Sequence, residues 1–328
     1  MNTDSPRIES IISRISDLIS RELPGIRSVI LGGSFGRGEG STILVNGEVR
    51  PFKDFDFFAV IEDSAASRAS EIRDTITRDA YTIIGTEPYS EDQPSPGRFR
   101  ITLELIPEGS LAYLPNDISN AELKLASRVV WGEDLRGFIP VDIGTIPPVS
   151  GLRSVLNKFI GMMEQWGPWI EQDQDIAMTV ALAVRYHAAK IILDCAAAIL
   201  LQQGRWVPGY QARLEVIREL ESDRPLHPVL GFFTEKIAIA LETKRHPDMP
   251  LAQKPSTIWN NAAKDLLVYT NTIAGDILGY STGEKIDGYQ RFYPKAKRGF
   301  FVPYADSWLR SRGIHPTPTL ANWLIFLY

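Results

Sequence analysis

The sequence predicts an α/β (α+β) protein: a small mixed sheet with its helices over residues 1–145, followed by an α-helical bundle over 150–328. Three observations carry this. Short β-prone segments alternate with helical ones up to about residue 130. A stretch dense in Pro and Gly, residues 139–151 (IPVDIGTIPPVSG), then interrupts the pattern and marks a domain boundary. Beyond it, only long apolar-periodic segments of helical spacing follow. A chain of 328 residues is long enough for two cores.

The elements are read in order. Ile8, Ile11, Ile12, Ile15, Leu18 and Ile19 recur at helical spacing, so residues 6–22 form an amphipathic helix, capped by Asp4 or Ser5 and ended by Pro24-Gly25. Residues 28–31 read as a short buried strand that runs into the glycine-rich GGSFGRGEG. Asn46-Gly47 lies between two β-prone arms and suits a two-residue hairpin turn, because both positions accept positive φ. Residues 54–61 (DFDFFAVI) form the next strand, 64–80 a helix with Ile72 and Ile76 inward, 99–106 a strand, and 117–130 a helix. Helices are expected near 152–170, 174–203, 210–221, 228–243 and 256–278. Residues 279–328 are irregular and aromatic-rich; the apolar WLIFLY end packs on the body or on a second subunit, so a homo-oligomer is possible.

The formal net charge is -5, and no basic stripe stands out. Gripping many phosphates requires clustered Lys and Arg, so a nucleic-acid partner is disfavoured. The nearest cluster, Lys295, Lys297 and Arg298, reads as a solvated loop. Cys195 is the only cysteine and lies in an apolar run, which makes it a packing residue. The acid-bearing N-terminus is unlike a signal peptide, and no segment is apolar enough to span a membrane; the cytoplasm is the expected location.

Asp54 and Asp56 are one residue apart on a strand, so both carboxylates share a face while Phe55 and Phe57 point to the other. Such a pair repels itself unless a cation lies between, and Mg²⁺ prefers oxygen ligands of this kind. Upstream, Gly33 and Ser34 form a turn where backbone N–H groups and a hydroxyl meet a phosphate closely, and Arg37 adds a bidentate contact. Downstream, Glu104 projects with Thr102 and Ile106 from an apolar strand and would supply a third acid.

Strand–G-S, then D-h-D (h apolar) on the next core strand, then one acid on a later strand, resembles the DNA polymerase β-like nucleotidyltransferase superfamily. GSFGRGE looks like its G-S-x-x-R-G form, VWGEDLRG like the turn closing the catalytic domain in aminoglycoside-nucleotidyltransferase-like members, and residues 183–214 like that branch's helical substrate domain. The resemblance implies that residues 1–145 are a nucleotidyltransferase catalytic domain and residues 150–328 a substrate-binding one. Gly33, Ser34 and Arg37 would hold the nucleotide's phosphates. Asp54, Asp56 and Glu104 would be the catalytic acids and metal ligands for two Mg²⁺ ions. ATP or another nucleoside triphosphate would donate a nucleoside monophosphate to a hydroxyl of a small molecule, such as a sugar or an aminoglycoside-like compound, with release of pyrophosphate. The family usually places its acid pair about ten residues after the G-S, whereas Ser34 and Asp54 are 20 apart; a hairpin inserted in a loop accounts for the excess without moving the strands. Glu39 and Glu48 in that insertion read as solvated loop acids.

A dinucleotide-binding reading is weaker, because the spacing is G-x-G-x-G and the glycines lead into a hairpin rather than a helix. In the second half, Lys190 reaches the triphosphate or pairs with Asp194 four residues on, and Arg185 has no preferred role. His187 reads as a packing residue, and the four histidines show no metal-ligand spacing. Trp166, Trp169, Trp206 and Tyr210 are core or stacking aromatics. The general base stays open between Glu104 and Glu164. Two other readings remain: an enzyme that attaches AMP to a protein, like nucleotidyltransferase antitoxins, and a nucleotide-sensing scaffold without turnover.

Overall fold

The computed structural model describes residues 6–87, 99–163, 177–222, 225, 233–250 and 253–278. The expectations for Asp4 and Ser5, Glu164, Trp166, Trp169, His227, His315, the Lys295–Arg298 cluster and the WLIFLY end lie outside these residues. By contacts the chain divides into a unit Met1–Tyr269 and a second unit Thr270–Tyr328. The first unit contains the whole sheet and the helices packed on it, and the expected boundary at 139–151 falls inside it.

The protein is mixed α/β, with a small, largely antiparallel sheet and many helices. Helix α1 (Pro6–Glu22) leads into β1 (Ile26–Leu31), then a single helical turn, α2 (Gly33–Gly36). The hairpin β2 (Ser41–Val45) and β3 (Glu48–Ile61) turns at Asn46 (φ 52°) and Gly47 (φ 81°), the left-handed pair its dipeptide promised. Helix α3 (Ala66–Ile84), β4 (Phe99–Pro107), α4 (Ile118–Ala126) and β5 (Arg128–Gly132) complete this part. The helices α5 (Pro148–Met163), α6 (Met178–Gln202), α7 (Tyr210–Leu220), α8 (Thr234–Arg245) and α9 (Pro255–Leu278) follow. Among the described residues no helix is long and apolar enough to cross a membrane.

Strand β3 is the axis of the sheet. Its first residues pair with β2, its later ones with β1 antiparallel and with β4 parallel. Strand β5 lies on the other side of β1. The one-residue alternation of β3 separates two environments. Phe55, Phe57, Ala59 and Ile61 are buried with Val29, Leu31, Ile101 and Leu103 beneath α1 and α3. On the opposite face Val60, with Ile30 and Ile106, enters a smaller core closed by Leu111, Leu123 and Ile139. Phe55 packs 4.3 Å from Phe35 and 5.1 Å from Phe99, centroid to centroid, which anchors the α2 turn and the start of β4 to the same core.

Residues 117–130, expected as one helix, are instead a helix that stops at Ala126 and a strand that starts at Arg128. Ser127 breaks the helix with an extended backbone, and the Val129-Val130-Trp131 run then joins β1. These β-prone residues prefer the pleated surface that β1 offers. Cys195 is fully buried in α6, as expected of a packing residue.

Candidate functional site

The site is built on the end of β1 and the middle of β3. The amide of Gly32 donates to the carbonyl of Asp56 at 2.8 Å, tying the α2 turn to β3. Gly33 has a φ of 56°, and a Cβ there would overlap Oδ2 of Asp56. Only glycine satisfies both conditions. Phe35 then turns inward, and Ser34, next in the chain to Gly33, is left half-buried, with its carbonyl accepting the amide of Glu39 at 2.8 Å.

The register places Asp54 opposite Arg100, Asp56 opposite Thr102, and Phe58 opposite Glu104. Paired residues of parallel strands share a face, so the register, which alternation within one strand does not fix, puts the two aspartates and Glu104 on one side. Glu104 is nevertheless exposed and one step further along. Among the described residues no group of three His, Cys, Asp or Glu side chains is placed to hold a metal ion, while the charge of Glu104 still reaches Asp56. Burial, and then the charge of Asp54, push the Asp56 carboxyl up from its ordinary value; Lys190 and Arg37 act against this. A carboxylate pair in that state fits one divalent cation bound through oxygen, which would relieve both costs.

Across from the acids stands α6. The Tyr186 ring packs edge-on against Phe52 at 5.6 Å, and the Lys190 ammonium lies 5.3 Å from its centroid. Burial, then the charges of Asp54 and Asp56, hold the Tyr186 phenol well above its ordinary value. Lys190 is thus brought to the aspartates. Asp194, its alternative partner by spacing, is engaged by Ser154 Oγ (3.1 Å), Lys158 (3.7 Å) and the Tyr210 hydroxyl (3.5 Å). Gly151 makes this possible, since a Cβ there would meet the Cα of Ala198 at 2.7 Å. The close contact sets Ser154 and Lys158 of α5 against the next turns of α6. His187 is held neutral by burial and by Lys53, Lys190 and Lys158, and its Nδ1 is buried without a hydrogen-bond partner.

Arg37 occupies a different place from the expected phosphate ligand. Its side chain is 6% exposed, bonded to Glu39 (3.1 Å) and Glu122, and lies 5.1 Å over the Tyr210 ring. Burial lowers its affinity for the proton, but Glu122, Tyr210 and Glu39 outweigh this and leave the guanidinium firmly charged. Its charge reaches Asp56, while its donors serve the joint between the sheet and the helices. Glu39 is likewise no solvated acid. It accepts from Arg37 and from the amide of Gln211 at 2.8 Å, at the start of α7. Glu48, by contrast, is exposed and pairs with Arg7 and Arg50.

Arg213 and Lys244 complete the joint. Arg213 bonds Glu122 and the carbonyl of Val207, and Lys244 donates to the carbonyl of Glu39. Arg185 serves the carbonyls of Pro247 (3.0 Å) and Met249 (2.8 Å). Trp206 is core. Lys53, Lys158 and Tyr186 escaped the reading by motif; only the position of Lys53, directly before Asp54, offered a sequence signal. Compared with known proteins, the chain matches no family model and no curated sequence.

Proposed function

We propose that the protein is a metal-dependent nucleotidyltransferase, with residues 1–145 as the catalytic part and the helices beyond residue 150 as the part that closes on the substrate. The observation that carries this reading is Asp56 seated against the Cα of Gly33, beside Ser34 and in line with Asp54. Asp54 and Asp56 would hold Mg²⁺, which supplies positive charge to the phosphate oxygens as the α-phosphorus is attacked. Ser34 and the backbone of the turn would orient the phosphates. Lys190, placed beside the acids, adds charge from the helical side. The transfer would move a nucleoside monophosphate, AMP first among the choices, to a hydroxyl of a small molecule such as a sugar or aminoglycoside-like compound. The acidic balance of the chain argues against a polymeric nucleic acid as acceptor.

Glu104 is exposed whereas Asp54 and Asp56 are half-buried, a difference that favours one second reading, nucleotide binding without turnover. Thermal unfolding with each nucleoside triphosphate, with and without Mg²⁺, tests binding, because a ligand of the native state raises the midpoint by mass action. The expected result is a Mg²⁺-dependent rise for at least one triphosphate that Asp56→Asn abolishes. No rise with any of them would remove both readings. A rise without pyrophosphate release, when extract is offered as a source of acceptor, would select the second.

A further inference from the structure

Lys190 and Asp194 stand four positions apart on α6, the spacing at which opposite charges on one helix meet. Asp194 is nevertheless taken by other elements. Its Oδ2 accepts from Ser154 Oγ at 3.1 Å and lies 3.7 Å from the Lys158 ammonium, while Oδ1 accepts from the Tyr210 hydroxyl at 3.5 Å. Both oxygens of this buried carboxylate thus serve α5 and α7. The charge of Lys190 acts instead on Asp56 and Glu122, and its ammonium lies 5.3 Å from the centre of the Tyr186 ring.

Helix packing explains the exchange. Helices α5 and α6 run antiparallel and touch at Gly151 and Ala198. The register that sets Ser154 opposite Asp194 brings Lys158, one turn on, opposite Lys190. The charge of Lys190 is the first cause that lowers the affinity of Lys158 for its proton, as facing ammonium groups require. Two such groups and one carboxylate leave one lysine over. Within a helix, a lysine N-terminal to its acid is the weaker order of the pair, so the cation from α5 prevails. Lys158 therefore has Asp194, and Lys190 is turned towards Asp56.

We propose that Asp194 and Lys158 are positioning residues: by pairing with each other they deny Lys190 its helical partner and commit its charge to the acid pair, where a triphosphate binds. The triphosphate's part rests on the nucleotidyltransferase reading; the steering of Lys190 stands apart from it. A merely structural ion pair would hold α5 on α6 and leave Lys190 unmoved by its loss.

A double-mutant cycle tests the steering without any ligand. Lys190→Met and Asp194→Asn, alone and combined, are compared by urea midpoint with Lys158 present and in Lys158→Met. Non-additivity between them should be larger in Lys158→Met, where Lys190 turns back to Asp194. Equal non-additivity in the two backgrounds overturns the proposal. So does a Lys158→Met protein that fails to fold while Lys158→Met/Asp194→Asn folds, because Asp194 would then have found no second cation. Thermal unfolding with the triphosphate that wild type binds, in excess Mg²⁺, reads the consequence. The half-saturating concentration should rise about tenfold in Lys158→Met, as for one lost charge-assisted contact. It should return to within about threefold of wild type in Lys158→Met/Asp194→Asn, where no carboxylate draws Lys190 away. An unchanged value in Lys158→Met overturns the proposal, as does a loss that Asp194→Asn fails to rescue, which would make Lys158 itself a ligand. No Mg²⁺-dependent shift in wild type would remove the nucleotidyltransferase reading and leave the cycle to decide the steering.

Discussion

Asp56 is partly withdrawn from water, with Asp54 two positions away on the same strand face, and both facts disfavour its charge. A carboxyl whose affinity for the proton rises on folding favours the native state fully below its ordinary value of 3.8. That contribution is lost as pH rises through the folded value. In metal-free buffer Asp56→Asn should therefore unfold at a higher temperature than wild type at pH 7. The difference should close as the pH falls towards 3.8. Melting curves across that range check this, and a variant less stable than wild type at neutral pH would show that Asp56 is satisfied by the fold itself. Gly33 explains why the position persists: the carboxylate lies where any side chain on residue 33 would stand.

Pairs of elements set the distances that single residues cannot. Helices α5 and α6 touch at Gly151 and Ala198, and from that contact Ser154 and Lys158 meet Asp194 one and two turns along. Gly151→Val would force the helices apart or the side chain off its rotamer, a cost of about 1–3 kcal/mol in a packed interior. Urea unfolding should register that loss. Because Lys158 adjoins Lys190, the same variant should also weaken any triphosphate-dependent stabilisation, although residue 151 touches neither lysine's charge. The α2 turn shows the same dependence. Phe35, held against Phe55, fixes the turn, so Gly33 meets the Asp56 carboxylate at a place set by a packing contact two residues on.

Over the whole unit, the sheet and the helices are joined by charge. Glu122 on α4 lies between Arg37 and Arg213; Glu39 takes Arg37 and the start of α7. Burial pushes both carboxyls up, yet Arg37 acts most strongly against it, aided by Arg213 at Glu122 and by the Gln211 and Tyr210 amides at Glu39. Both end below their ordinary value. Their stabilisation is present above about pH 4.5 and is lost as pH falls through the lowered folded values. Glu122→Gln leaves two arginines short of a countercharge and should cost about 3 kcal/mol at pH 7. Acidification below pH 4.5 should narrow the gap between variant and wild type. Equilibrium unfolding at pH 7 and pH 4 measures both effects, and an equal loss at the two values would detach the joint from these charges.

What the sequence determined by itself was local. Helical spacing located α1, Asn46-Gly47 specified the hairpin turn, and alternation put Asp54 and Asp56 on one face of their strand and Phe55 and Phe57 on the other. Each of these follows from backbone geometry over a few residues, which the sequence writes directly. The tertiary structure decided the rest. Arg37 read as a phosphate ligand and Glu39 as a solvated loop acid because their partners, Glu122 and the start of α7, lie 85 and 172 positions away. Strand β5 forms because β1 offers it an edge, and Lys53 reaches the rings of Phe52 and Tyr186 from a left-handed backbone that no residue type announces. Charge pairing and strand pairing act through space between segments remote in the chain, so periodicity and motif spacing carry no record of them.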